Sequence, residues 1–402
     1  MKEKVLLAFS GGLDTSFCVK YLSEEKGLEV HSALANTGGF TAEELGVIAG
    51  KALALGVKSH TVLDIEDEYY QNYIRFMIYG NVLRNGTYPL SVSSERTLQA
   101  LAVARQAKLL KADYVAHGST GAGNDQVRFD LVFSILIPEI KILAPIRELR
   151  LSRDAEIAYL KSQGVEADWT KLEYSVNKGL WGTSIGGKET LGSGQPLPDT
   201  AYPSPAPKQG EEILCLSFLK GELNAVNGRT FSSVPAAIRF TDEIASAWAI
   251  GRDIHVGDTI IGIKGRVGFE AAAAMIIIKS HHTLEKHVLG KWQQYWKEQL
   301  ANWYGMLLHE GQYLDPVMRN IEKFLEDTQQ QVTGEVKLRL RPYHFDLQGI
   351  SSDFDLMDAR FGTYGEMNAG WSGEDVKGFI KILGNQQRIY QSVQETNGIK
   401  QF

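Results

Sequence analysis

The sequence predicts an α/β protein with a parallel, doubly wound sheet at its N-terminus, a second α+β domain and a C-terminal helical arm. Three observations carry this. Residues 1 to about 165 alternate short apolar runs with amphipathic ones, the order that builds a parallel sheet covered on both faces. The apolar run 5–9 leads directly into Ser10-Gly11-Gly12-Leu13-Asp14-Thr15-Ser16, a glycine turn between a strand and a helix. Finally, 402 residues exceed one typical core, so more than one domain is expected. We place the boundaries at 1–165, 166–362 and 363–402.

In order, residues 5–9, 28–34, 60–63, 114–116 and 140–144 read as strands, with helices over 17–22, 41–55 and 94–110. The last carries Leu98, Leu101, Ala102, Arg105 and Leu109 at helical spacing. Ligands of such sheets bind beyond the carboxyl ends of the strands. The loops 10–16, 35–39 and 117–125 all follow strands, so they should converge on one crevice. In the first, glycine lets the backbone approach phosphate oxygens, the first amides of the helix point outward, and the helix dipole favours negative charge. Ser10, Thr15 and Ser16 add hydroxyl donors. Asp14 would repel phosphate, so it makes sense beside a bound cation or as a positioning group. The pattern is neither GxxxxGK[ST] nor GxGxxG; an ordinary glycine turn with Asp14 capping the helix is the plain alternative.

Bulk properties exclude several classes. The formal net charge is −6, which argues against a nucleic-acid surface as the main function. The only cysteines, Cys18 and Cys215, allow no disulfide framework or zinc knuckle and fit a reducing cytoplasm. The N-terminal apolar run has strand length, not that of a signal peptide, and the run 269–278 is too short to span a bilayer.

The second informative stretch runs from His117 through Gly118, Ser119, Thr120, Gly121, Gly123, Asn124, Asp125 and Arg128 to Phe129. Its glycines let the chain fold tightly around a ligand. Asn124, Asp125 and Arg128 offer an amide, a carboxylate and a guanidinium within about one helical turn. Arg suits a bidentate grip on a substrate carboxylate; a helix cap with Arg128 on the surface is the alternative.

The first stretch resembles the pyrophosphate loop of the ATP-pyrophosphatase superfamily, and the two together, in this order, closely resemble the argininosuccinate synthase family. Leu34-Ala35-Asn36-Thr37-Gly38, Tyr88 followed by Ser93, Ala144-Pro145-x-Arg147, Tyr174-Ser175 to Ser184, Ile263-Lys264-x-Arg266 and Val332-Thr333-Gly334 fall in register with it. The resemblance implies an ATP-pyrophosphatase-type sheet and a ligase of arginine biosynthesis. The ureido oxygen of citrulline attacks the α-phosphate of ATP and releases pyrophosphate; the aspartate amine then displaces AMP to give argininosuccinate. It implies an ATP site of Ala8, Phe9, Ser10, Gly11, Gly12, Leu13, Asp14, Thr15, Ser16, Ala35 and Gly118, with Mg²⁺ on the phosphates and no dedicated protein metal site. Thr120, Asn124 and Asp125 would hold aspartate. Tyr88, Ser93, Asn124, Arg128, Ser175 and Ser184 would hold citrulline, with Gly257 and Phe269 at its amino end. Asp14, Asn124 and Asp125 are the expected catalytic residues. A cytoplasmic homotetramer, with no nucleic-acid or membrane partner, completes the expectation.

Further along, residues 192–210 contain Pro196, Pro198, Pro203, Pro205 and Pro207 and read as an extended excursion. Residues 212–218 followed by Lys220-Gly221-Glu222 read as a hairpin. His281, His282 and His287 read as a surface helix in preference to a metal cluster. Residues 291–308, with Trp292, Trp296, Trp303 and Tyr304, read as a packed helix face, and 375–393 as an amphipathic arm for a neighbouring subunit.

The chain departs from the family pattern at the amino end of the citrulline site. Gly257 stands where a glutamate is usual and Phe269 where a tyrosine is usual; Phe9 replaces Tyr, and Ser91-Val92 replaces Gly-Thr. A buried ammonium without a counter-charge is costly. Either Asp258 or another acid takes over, or the match to the family pattern slips by one residue, or the substrate amine is capped, as in an acetyl- or succinyl-citrulline, and Gly257 makes room. A tRNA-modifying pyrophosphatase enzyme would need paired cysteines and a basic face, which are lacking. A non-catalytic nucleotide-binding regulator would not need both loops intact.

Overall fold

A computed structural model describes residues 2–166, 174–366 and 370–399, so 367–369 and 400–402 of the expected arm lie outside it. The first sheet is parallel with strand order β3-β2-β1-β4-β5, comprising β1 (Lys4–Ala8), β2 (Glu29–Asn36), β3 (Ser59–Asp64), β4 (Tyr114–Ala116) and β5 (Lys141–Leu143). Val5, Leu6 and Leu7 are all buried, since a parallel strand covered on both faces has no solvent side to alternate toward. Helices α1 (Leu13–Lys20), α2 (Ala42–Ala54), α3 (Ser91–Leu110), α4 (Asp125–Leu136) and α5 (Arg153–Ser162) accompany it. α2 starts with a capping box: Thr41 Oγ1 accepts from Glu44 N at 3.2 Å, and Glu44 Oε2 accepts from Thr41 N at 2.8 Å.

Two antiparallel sheets follow. One has order β11-β12-β7-β6, built from β6 (Ser175–Gly179), β7 (Gly182–Gly186), β11 (Arg252–Asp258) and β12 (Lys264–Glu270). The other has order β10-β9-β8-β13-β14, built from β8 (Glu212–Leu219), β9 (Glu222–Val226), β10 (Arg229–Thr230), β13 (Gly334–Arg341) and β14 (His344–Ser351). The expected hairpin is β8–β9. Helix α3 lies between the parallel sheet and the first of these, touching β1 and β2 as well as β6 and β7. Its interior is small: Ala100, Ala102, Ala104 and Ala107 are buried and let the layers approach. Leu90, just before α3, is buried in the left-handed region (φ 58°), a strained entry that aims the first turn of the helix.

Helices α6 (Val234–Ser246) and α7 (Ala272–Val288) pack against these sheets and one another, α8 (Lys291–His309) packs on α3, and two sequence expectations fail here. α7 is not a surface helix. Ala272, Ala273, Ala274, Ile276, Ile277 and Ile278 are buried, and His281 lies with them, bonded to Asn81 and Gln329. No group of three or more His, Cys, Asp or Glu that could hold a metal occurs among the described residues. On α8 the buried stripe is Lys297, Ala301, Tyr304 and Leu308, so Trp292, Trp296 and Trp303 fall on the exposed side. The Trp positions are one register off the packed face.

Residues Met1–Phe354 form one compact unit and Asp355–Phe402 another. The second holds α9 (Gly373–Leu383) and α10 (Asn385–Thr396), with Phe379, Ile380, Ile382, Leu383, Ile389 and Tyr390 exposed. No described helix is long and apolar enough to cross a membrane.

Candidate active site

The first loop has the geometry the sequence implies. Gly11 takes φ +78°, and a Cβ there would press on Ile48 at 3.3 Å. Gly12 caps α1 without a side chain, so no side chain accepts from the first-turn amides. Ser16 Oγ donates to Gly12 O at 2.7 Å, and Ser10 and Thr15 hydroxyls lie 3.4 Å apart. Lys51 of α2 adds a cation that sequence reading missed: its Nζ donates to Gly11 O at 2.5 Å. Burial lowers its pKa. Phe9, expected in the nucleotide site, is buried with its ring edge-on to His60, so only its backbone faces the loop. Asp14 adjoins Glu156 of α5, which burial and then the Asp14 charge push up to about 8. Glu156 therefore keeps its proton at neutral pH.

The two informative stretches meet. A Cβ on Gly118 would lie 3.2 Å from Thr15 Cγ2 and 3.3 Å from Asp14 C, so the loop after β4 closely approaches the start of α1 and a side chain here would have to push them apart by a few tenths of an ångström. His117 anchors that loop: its ring faces Asp130 at 2.8 Å, Ser119 N donates to Nδ1 at 3.2 Å, and Arg147 completes the set at 2.6 Å from Asp130. Ala35 lies one residue before the end of β2, paired with Leu63, at the carboxyl end of the sheet.

Thr120 is in an exposed turn ahead of α4. Asn124 makes no side-chain cap; its Oδ1 accepts from Ile260 N at 2.8 Å, tying α4 to the β11–β12 turn. Asp125 lies between two guanidiniums, 2.7 Å from Arg128 Nη1 and 3.2 Å from Arg96 Nε. Burial pushes its carboxyl up, but Arg96 and Arg128 outweigh that and hold it below the usual range. Arg96, on α3, is the main residue missed by sequence reading. It also donates to Gln99 at 2.8 Å and Asn177 of β6 at 3.0 Å, and faces Glu95 at 3.4 Å. Glu95 itself is buried, accepts from Thr37 Oγ1 at 2.5 Å, and is pushed by burial to about 7. A Cβ on Gly179 would collide with Glu95 Oε2.

Arg128 is not on the surface. It is 3% exposed; Nε and Nη2 donate to His309 O at 2.9 and 2.7 Å, Nη2 also reaches His309 Nδ1 at 3.3 Å, and Nη1 holds Asp125. The surface reading of Arg128 gives way to a buried residue that links α4 to the end of α8.

Register and ring contacts bring Ser184, Phe269 and Tyr88 together. Ser184 pairs with Phe269 across β7–β12 and with Asn177 across β6–β7. Phe269 packs on Tyr88 (centroids 5.2 Å), which stacks on His255 at 5.1 Å. Ser93 is nearly buried on the first turn of α3, while Ser175 is exposed at the open end of β6. Gly257 shares its strand face with His255, and a Cβ there would lie 2.6 Å from His255 Nε2 and 3.5 Å from Asn85 Nδ2. Asp258, the expected replacement acid, belongs to the opposite face by strand alternation and pairs with Lys264 at 2.6 Å. Alternation does not let it take over at position 257.

Residues 4–166 match the family model described as the argininosuccinate synthase N-terminal HUP domain, and 174–390 match its C-terminal domain. The chain belongs to the argininosuccinate synthase family. It is 37% identical over 395 residues to an argininosuccinate synthase of Dictyoglomus thermophilum, covering 97% of this chain and 98% of that one. It is 36% identical to one from Xanthomonas campestris (97% and 99%) and 34% identical to one from Methanocaldococcus jannaschii (97% and 98%). The family assignment does not favour the acyl-citrulline alternative.

Proposed function

We propose that the protein is an ATP-dependent ligase that joins citrulline to aspartate through an adenylated intermediate, giving argininosuccinate, AMP and pyrophosphate. The approach of Gly118 to Asp14 and Thr15 carries this reading, because it supports a site in which the loop leading to the Arg96–Asp125–Arg128 cluster borders the phosphate-type loop. The open amides at Gly12–Leu13, the hydroxyls of Ser10, Thr15 and Ser16, and Lys51 suit a triphosphate, with Ala35 and Gly118 bordering the nucleotide. Mg²⁺ would ride on the phosphates, adding positive charge at the α-phosphate; with no described acidic or histidine cluster, phosphate oxygens and water would supply its ligands.

Asp125, kept ionised, suits the aspartate ammonium, with Thr120 and Asn124 beside it. Tyr88, Ser93, Ser184 and Phe269 form the wall proposed for citrulline. The residues contribute positioning and charge stabilisation: they hold the ureido oxygen against the α-phosphorus, then the amine against the activated carbon. The exposed apolar residues of α9 and α10 support a homotetramer in which the arm docks on neighbours, and two free cysteines fit a cytoplasmic setting.

Pyrophosphate release tests the reading. It should require ATP and citrulline and yield argininosuccinate only when aspartate is added. Release with no combination of ureido acid and aspartate would point to the regulator instead.

A further inference from the structure

Arg96 stands between two carboxylates that it does not serve equally. Asp125 is held from both sides, by Arg96 Nε at 3.2 Å and by Arg128 Nη1 at 2.7 Å. Glu95 meets the same guanidinium only at Nη1, at 3.4 Å, and its other oxygen takes the Thr37 hydroxyl at 2.5 Å. Glu95 is 1% exposed, and the backbone at Gly179 covers Oε2 so closely that a Cβ there would collide with it. The other groups around Glu95 supply no second cation among the described residues. Tyr69 is bonded to Ser91 and Ser94 and kept neutral by burial. Lys178 of β6 faces Glu44, while Glu66, beside Gly38, is paired with Arg239. A buried carboxylate with one distant, shared cation is costly, so of the two acids Glu95 is the one that takes up a proton. Burial does push it up to about 7, whereas Arg96 and Arg128 hold Asp125 below the usual range.

We propose that Glu95 is a positioning residue for the aspartate site: protonated, it leaves Arg96 to Asp125 and Asn177; ionised, it draws the guanidinium from Asp125 and weakens the binding of aspartate. The proposal rests on the ligase reading above and deepens it, since Asp125 is the carboxylate assigned there to the substrate ammonium. Two effects share this sign. An Asp125 held by Arg128 alone is less firmly placed for the ammonium. A new negative charge behind it also repels a substrate that carries two carboxylates.

The test uses the full chain as wild type, Glu95→Gln and Thr37→Val. Aspartate is titrated calorimetrically, from pH 6 to pH 8.5, into protein holding citrulline and an ATP analogue with a methylene α–β bridge. In wild type the aspartate Kd should rise as pH passes through about 7 and level off about tenfold higher. Because the protonated form binds better, aspartate should bind with proton uptake above pH 7, read as a binding enthalpy that depends on the ionisation enthalpy of the buffer. Glu95→Gln should keep the tight value throughout, with no proton uptake. Thr37→Val removes a hydroxyl that stabilises the carboxylate, so its midpoint should move to higher pH, which a merely structural role of Glu95 would not produce. KM for ATP should follow pH in parallel in wild type and Glu95→Gln. A wild-type Kd that is flat with pH overturns the proposal, as does a Glu95→Gln profile that follows wild type or a weakening of ATP as large as that of aspartate. Aspartate that fails to bind wild type even at pH 6 overturns both the proposal and the assignment of Asp125. Wild type that binds aspartate with the expected profile but releases no pyrophosphate from ATP sinks the ligase reading and leaves the role of Glu95 standing.

Discussion

Glu95 should make the protein's stability depend on pH in a window where carboxylates are normally silent. The perturbation is Glu95→Gln, which keeps the shape and stays neutral. Burial raises the Glu95 carboxyl from an ordinary 4.5 to about 7, against the pull of Arg96 and the Thr37 hydrogen bond. At about 1.4 kcal/mol per pH unit, this amounts to about 3 kcal/mol favouring the neutral form in the folded chain. The raised value fixes the sign: the contribution is fully present below pH 4.5 and is lost as pH rises through about 7. Urea unfolding of both proteins from pH 5 to pH 8 reads it directly. Wild type should lose stability relative to Glu95→Gln across that range, by about 2–3 kcal/mol at the upper end. Other groups titrate in the same window, Glu156 and Asp242 among them, but they are common to both proteins and cancel in the difference. A difference that holds within about 0.5 kcal/mol over the whole range would refute the reasoning.

Three further outcomes are expected. Lys297→Met leaves Glu285, 2.7 Å away and 1% exposed, as an uncompensated buried charge, and should cost about 3–5 kcal/mol in urea unfolding; adding Glu285→Gln should restore much of it. Gly118→Ala forces apart the two loops that meet at Thr15 and Asp14, so KM for ATP should rise about tenfold while thermal unfolding shifts little. Arg96→Gln releases Asp125 on one side and Asn177 on the other, and should reduce kcat/KM for aspartate about 100-fold, more than for ATP.

Much of the first sheet was legible because its signals are local. The apolar run at 5–9 and the glycines at 11 and 12 fix a strand and a turn without help from distant residues. The hairpin after residue 212 was legible for the same reason. The histidines and tryptophans misled because helix faces are chosen by what packs against them: the isoleucines of α7 carry His281 inward, while Tyr304 and Leu308 turn the tryptophans of α8 outward. Arg96 and Lys51 escaped notice because each acts on a loop far away in sequence, and nothing beside them marks that.

By itself the sequence determined the strand–glycine–helix loop at 10–16, the second loop at 117–128, and hence the kind of nucleotide chemistry the crevice suits. Only the tertiary structure decided what each charge does. Whether Arg128 lies on the surface or inside against His309, whether Asp258 shares a face with Gly257 or turns to Lys264, and whether Glu95 carries a proton depend on burial, on strand pairing and on neighbours brought in from elsewhere in the chain. Those are properties of packing, and no local pattern encodes them.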